Sequence, residues 1–257
     1  MRSMCICALL SVFAGAALWA TSTNASQEFR QSYALRPSGR VVIDNPYGDV
    51  RICAWDRDEV RIEATKSAPD ARRLEDARIV VDSTSETLSI RTQYAESEAD
   101  QPASVEYRIT VPRTANLDGI KLVNGGLSID GLAGSVKATS VNGSIKAENL
   151  EGTADLSTVN GLVEAGFQRV SAANPISLRS VNGAIVLSIP SDSGARLVAQ
   201  NRAGGIQTDF GRTVSEGDRH QFHAVLKGGG ARIQLENVNG GISIHSSWSR
   251  HAARTGL

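Results

Sequence analysis

The stretch Val123–Gly161, VNGGLSIDGLAGSVKATSVNGSIKAENLEGTADLSTVNG, decides the fold. Within it Gly125, Gly134, Gly143, Gly152 and Gly161 stand nine residues apart. Apolar residues recur at the second, fourth and seventh places after each glycine. These are Leu127, Ile129 and Leu132; Val136, Ala138 and Val141; Ile145, Ala147 and Leu150; Ala154, Leu156 and Val159. A spacing of two is the alternation of a half-buried β-strand, and the odd residue is consumed at a turn, so the next strand again faces inward. A second rhythm overlies the first: Val-Asn-Gly occurs at 123–125, 141–143 and 159–161, a period of 18, and again at 181–183 and 238–240. One full unit is thus two strands and two unlike turns. Glycine at these turns, Gly143 among them, is expected at positive φ, which costs a residue with a Cβ about 1–2 kcal/mol.

Two arrangements satisfy this pattern. Asn-Gly between alternating strands is a strong hairpin signal and would give an antiparallel meander. Alternatively each 18-residue unit is one coil of a β-solenoid, the coils stacked in parallel, with Asn124, Asn142 and Asn160 forming a ladder. The solenoid is preferred, because stacking of equivalent positions requires the same side chain to recur at a fixed step. The small residues Ala138, Ala147, Ala154 and Ala165 also suit a thin interior between two sheets.

The same grammar extends outward from the centre. Gly39 is followed by Val41 and Ile43, Gly48 by Val50 and Ile52, Gly183 by Ile185 and Leu187, and Gly240 by Ile242 and Ile244. In between, Val60–Ala64, Ile79–Val81, Leu88–Thr92 and Val105–Val111 read as alternating strands. Residues 69–76 read as one short helix with Pro69 at an early position. Residues 95–103 are acidic and patternless, hence a mobile loop. No Pro/Ser linker divides the chain. It reads as a single all-β domain over 26–248, with irregular strands over 39–115, regular repeats over 116–245 and a basic tail at 249–257.

Composition bounds what such a fold can do. The chain has 257 residues with 27 basic and 27 acidic side chains, a formal charge of zero and a pI near 6.9. That balance removes the electrostatic footprint of a nucleic-acid binder. A hydrophobic content of 41% is ordinary for a globular protein. Arg2 followed by the apolar run Cys5–Ala20, then Thr23-Asn24-Ala25 before Ser26, predicts a signal peptide over 1–25. An uncleaved anchor is the alternative, although the run falls short of the roughly 20 residues a spanning helix needs. No later segment is apolar enough to span a membrane. Cys5 and Cys7 leave with the leader, so the mature chain keeps Cys53 alone and forms no internal disulfide.

A family resemblance rests on several of these segments together. They are Gly48-Asp49-Val50-Arg51-Ile52 with Trp55, then Val60–Lys66, Ile109-Thr110-Val111-Pro112, Asn116-Leu117 and the Val-Asn-Gly series. Over residues 39–245 the chain resembles the bacterial putative-adhesin family of β-strand repeat proteins, a domain of unknown function. Such families often carry Gly-Asp where this chain has Gly-Gly, Gly-Ser, Gly-Leu or Gly-Ala after the asparagine. The departure leaves the turn intact and removes an acidic ladder. The resemblance implies an exported, all-β envelope or surface protein without catalytic residues.

The search for chemistry is mostly negative. His220 and His223, three apart on a strand, would point to opposite faces, which is poor metal geometry, and His245 comes later. Cys53 is expected to face outward near Trp55, with no partner base in sequence. Asp130, Asp155 and Glu164 project outward from repeat strands, and Asp44, Asp49, Asp56 and Asp58 lie close together in the chain. Glycoside cleavage needs two carboxylates about 5–9 Å apart, and outward pairs on neighbouring coils could meet that distance. They are interleaved with Lys137, Lys146 and Arg179, as on a solvated sheet face. Gly228-Gly229-Gly230-Ala231 lacks the lysine and helix of a phosphate-binding loop. The calcium-binding glycine-aspartate nonapeptide is absent.

No catalytic, cofactor-binding or metal site and no cofactor is therefore expected. The preferred reading is a non-catalytic exported scaffold, periplasmic, cell-surface or extracellular, binding an envelope or extracellular protein or glycan. Outward rows such as Ser135, Lys137, Thr139 and Ser144, Lys146, Glu148 would make the contact. The rivals are a carbohydrate-active β-helix enzyme and an envelope-stress accessory protein.

Overall fold

Alternation of apolar and polar side chains carries through nearly every segment between turns, so strand follows strand. The computed structural model describes residues 25–95, 102–210 and 220–247. The leader (Ala25 apart), the core of the 95–103 loop and the basic tail lie outside those residues. The irregular part runs β1 (Ala25–Ala34), β2 (Arg40–Tyr47), β3 (Val50–Trp55), β4 (Glu59–Ala68), α1 (Ala71–Asp76), β5 (Ala77–Ser83), β6 (Thr87–Tyr94) and β7 (Ser104–Pro112). The repeats run β8 (Asn116–Asn124), β9 (Leu127–Asp130), β10 (Val136–Asn142), β11 (Ile145–Leu150), β12 (Ala154–Asn160), β13 (Val163–Phe167), β14 (Ile176–Asn182) and β15 (Ile185–Pro190). Then come β16 (Ala195–Ala203), β17 (Ile206–Thr208), β18 (Gln221–Leu226), β19 (Ala231–Asn239) and β20 (Ile242–Ser247).

Two open ten-stranded sheets face each other. One has the order β1-β4-β7-β3-β9-β11-β13-β15-β20-β17, the other β18-β16-β19-β14-β12-β10-β8-β2-β6-β5. From β8 to β15 consecutive strands lie in opposite sheets, and each pairs in parallel with the strand two further on. Val136 stands opposite Ala154, Leu127 opposite Ile145, and Ile145 opposite Val163. The Asn-Gly turns thus pass the chain from one sheet to the other instead of closing hairpins, and the antiparallel meander is not formed in this segment. Antiparallel pairs occur towards the ends, at β1/β4, β4/β7, β5/β6 and β16/β18.

The second and fourth apolar places after each glycine fill the space between the sheets: Leu127, Ile129, Val136, Ala138, Ile145, Ala147, Ala154 and Leu156 are all buried. The seventh place splits in two. Leu132 and Leu150 are buried at one turn, while Val123, Val141 and Val159 at the Asn-Gly turn are each 40% exposed.

Among the Asn-Gly turns the expected positive φ is found at Gly161 (φ 155), Gly183 (φ 155) and Gly240 (φ 140). Gly143 is not at positive φ. A Cβ on Gly143 would lie 1.9 Å from the Gly125 carbonyl oxygen, one on Gly161 2.4 Å from that of Gly143, and one on Gly183 1.9 Å from that of Gly161. Stacked backbones approach too closely for any side chain. A positive φ is also used at Gly119 (φ 104), where β8 carries one residue more than β10 and the register shifts. The carbonyls of these turns are met from inside, where buried Thr158 and Ser180 donate to the Gly143 and Gly161 oxygens at 2.9 and 3.1 Å.

Two further details depart from the pattern. The helix is capped by Asp70, whose carboxylate accepts from the Arg73 amide at 3.0 Å, so Pro69 precedes the cap instead of opening the first turn. The stacking order also departs from chain order: β19 and β20 insert between β14/β15 and β16/β17.

Candidate functional site

Parallel register converts a periodic sequence into rows. On the outer face of β10, β12, β14 and β19, Lys137, Asp155, Ser177 and Gln234 form one row, and Thr139, Ser157, Arg179 and Glu236 the next. A third row is apolar: Val123, Val141, Val159 and Val181 follow one another at neighbouring-strand spacing, each 39–40% exposed. Beside it runs the asparagine ladder. The Nδ2 groups of Asn142, Asn160, Asn182 and Asn239 donate to the Oδ1 atoms of Asn124, Asn142, Asn160 and Asn182 at 2.8–2.9 Å. Each amide spends one donor and one acceptor on its neighbours, which aligns the turns along one edge.

At one end of the valine row an open cleft of about 700 Å³ lies over Val181 and Val238, bordered by Arg179, Arg202, Glu236 and His220. Arg179 is held on both sides, 3.0 Å from Asp155 and 3.5 Å from Glu236. Exposed pairs of this kind contribute little to stability. Their effect is to neutralise the face.

The other sheet presents a different surface. Asp130, on β9, stands opposite Glu148 on β11 and accepts from Asn149 at 2.6 Å. Lys146 sits 3.2 Å from Glu148 and 3.8 Å from Glu164, and Glu148 above all holds its ammonium above the ordinary lysine value, with Glu164 second. Beyond them a notch of about 470 Å³ opens where Gly166 replaces a side chain between Glu148 and Ser188.

The remaining sequence candidates are dispersed. Asp155 lies on the opposite face of the molecule from Asp130 and Glu164. Likewise Ser135, Lys137 and Thr139 belong to one sheet face, and Ser144, Lys146 and Glu148 to the other. Asp49 accepts from the Gly126 amide at 2.8 Å, and Asp56 pairs with Arg113 at 3.0 Å, both structural uses. His220 and His223 are exposed beside and on β18, whereas His245 is on β20 in the other sheet, 3.1 Å from Asp209. Cys53 is exposed on β3 between Thr110 and Asp130. Trp55 nearby donates to the Glu59 carbonyl at 2.8 Å and carries the Arg57 and Arg61 guanidinium groups 5.0 Å from its ring centre. Among the described residues no group of three or more His, Cys, Asp or Glu side chains is placed to hold a metal ion, and no helix is long and apolar enough to cross a membrane.

Sequence reading placed Val141 and Val159 among the recurring apolar residues and did not foresee their exposure. The signal was present: a β-branched residue immediately before Asn-Gly at every second turn.

No family model matches the chain, and no curated protein matches it. Among solved structures it is similar to a putative cell adhesion protein from Clostridium sporogenes, at 10% identity and a TM-score of 0.49, over 86% of this chain and 100% of that one. It is also similar to putative adhesins from Bacteroides fragilis (12% identity, TM-score 0.38) and Parabacteroides merdae (10% identity, TM-score 0.37), each over 86% of this chain and 97% of theirs. These proteins carry the same adhesin description as the family that the sequence resembles.

Proposed function

We propose that the chain is a non-catalytic, exported scaffold: a signal peptide over 1–25, then one domain over 26–248 that is a two-sheet β-solenoid with 18-residue coils. It works at the periplasmic side, the cell surface or outside the cell, and binds an envelope or extracellular protein or glycan. The observation that carries this reading is the outer face of β10, β12, β14 and β19, where register lines up a valine row beside polar rows. Those outward positions can vary without disturbing the inward ladder, which is the property a binding scaffold needs. Support for an absence of catalysis is the mutual neutralisation of the outward charges, Lys146 between Glu148 and Glu164, and Arg179 between Asp155 and Glu236.

The test compares the exported protein with a Val141→Lys/Val159→Lys variant for binding to intact cell envelopes and to a glycan panel. Both substitutions fall on exposed positions, so circular dichroism is expected to be unchanged. Binding by the parent protein and its loss in the variant is the expected result. Equal binding by the two, or release of reducing sugar from any glycan on the panel, would contradict the reading.

A further inference from the structure

Among the described residues β1 is the outermost strand of its sheet and pairs only with β4. Its register is unbroken over ten residues, from Ala25 opposite Ala68 to Ala34 opposite Glu59. Free strand edges are usually blunted by shortness, unmatched charges, proline or bulges. The other edges are shorter, at three residues in β17, six in β18 and seven in β5. β1 is long and contains neither proline nor glycine.

The sequence of this edge is self-complementary. Ser26-Gln27-Glu28-Phe29-Arg30-Gln31-Ser32 reads the same in both directions, except that Glu28 and Arg30 exchange places. We propose that β1 is a dimerisation strand: two copies of this chain pair antiparallel through their free β1 edges, with the two-fold axis at Phe29. In that register each Glu28 faces Arg30 of the other copy, Gln27 faces Gln31, and Phe29 meets its twin. Directly opposite side chains are the unit of sheet stabilisation, and like charges placed opposite are destabilising. A slip of two residues in either direction sets Glu28 against Glu28 or Arg30 against Arg30, whereas the centred register sets each charge against its opposite.

The surrounding charges extend the same logic. Arg108, Glu63 and Arg30 stand opposite one another across β7, β4 and β1, alternating in sign on the outer face. Glu28 of the second copy continues that alternation. Within one chain Glu28 and Arg30 touch at 3.1 Å, yet their side chains are 65% and 70% exposed, a contact free to be exchanged for the equivalent one between copies. Phe29 packs half-buried against the end of the core, where the joined sheets would cover it.

Sedimentation equilibrium of the exported chain, its N-terminus checked by sequencing, tests this. The parent protein is expected to have twice the chain mass. Glu28→Arg alone and Arg30→Glu alone are each expected to be folded monomers by circular dichroism and mass. Mixed in equal amounts, these two variants should restore a dimer containing one of each, which a repaired pair within one chain would not produce. A parent protein that is monomeric throughout, a dimer that survives either single reversal, or a mixture that stays monomeric would each overturn the proposal. A Phe29→Cys substitution in a Cys53→Ser background gives a second readout, a disulfide-linked dimer under mild oxidation.

Discussion

At Gly143 there is room for a hydrogen atom and nothing larger, because the Gly125 carbonyl oxygen occupies the place of a Cβ. Gly143→Ala is expected to lower stability by about 2–4 kcal/mol through forced separation of two stacked turns. Gly126 supplies the control: its added Cβ would meet no atom nearer than 3.6 Å, so Gly126→Ala should leave the thermal melt nearly unchanged. Equal melts for the two variants would contradict the stacking explanation. Deeper in the fold, Thr92 donates its single hydroxyl hydrogen to Asn45 at 2.9 Å, so the Tyr107 phenol must donate to Thr92 across 2.8 Å. Burial pushes Tyr107 up to about 12. With an unfolded value near 10, its contribution is complete below that pH, then falls by about 2 kcal/mol by pH 12 as the unfolded chain ionises first. Urea unfolding across this window should show the alkaline loss, and Tyr107→Phe should reduce its slope. Tyr94, also raised by burial, keeps the remainder.

Strands are the scale at which the sequence was most legible. Alternation located nearly all of the inward residues of β8 to β15, since a buried face between two sheets tolerates no polar slip. It also located the asparagine ladder, which a fixed step of 18 makes visible. What it misjudged were features set by contacts between units. The Asn-Gly dipeptide allows a hairpin equally well, and only the stacking of Gly143 on Gly125 decides against it. The valines before each Asn-Gly resemble core residues in one dimension, yet they leave the sheet on its outer side. Deleting Ser144–Gly161 removes β11 and β12, one strand from each sheet, and joins Gly143 to Leu162 at an equivalent turn. That variant is expected to fold with a cooperative melt at reduced stability, because each sheet loses one strand and the strands on either side can pair in the same parallel register. Deleting only Ser144–Gly152 sends every later strand to the wrong sheet and should abolish the native circular dichroism spectrum. Equal outcomes for the two deletions would contradict the pairing of alternate strands.

Across the whole molecule, the order of strands carries information that no local pattern could. After β15 the chain skips a position, builds β16 to β18, and returns to fill the gap with β19 and β20. Val238-Asn239-Gly240 therefore continues the ladder directly from Asn182, 57 residues earlier. The site was less legible than the fold. Single outward residues such as Asp155 and Glu164 looked alike in sequence, whereas assignment to opposite faces depends on which sheet each strand joins. Each such assignment rests on parallel pairing between alternate strands, at a step of 18 residues from β10 to β12 and 22 from β12 to β14. Lys137 and Asp155 are opposite partners on β10 and β12, with Cα atoms about 5 Å apart at parallel-strand spacing. Lys137 and Lys146, nine apart, are on opposite faces of the molecule. In a Cys53→Ser background, which itself should melt like the parent, mild oxidation of Lys137→Cys/Asp155→Cys is expected to form a disulfide in the folded monomer. Lys137→Cys/Lys146→Cys should form none, and crosslinking of that pair with failure of the first would contradict the stacked arrangement outright.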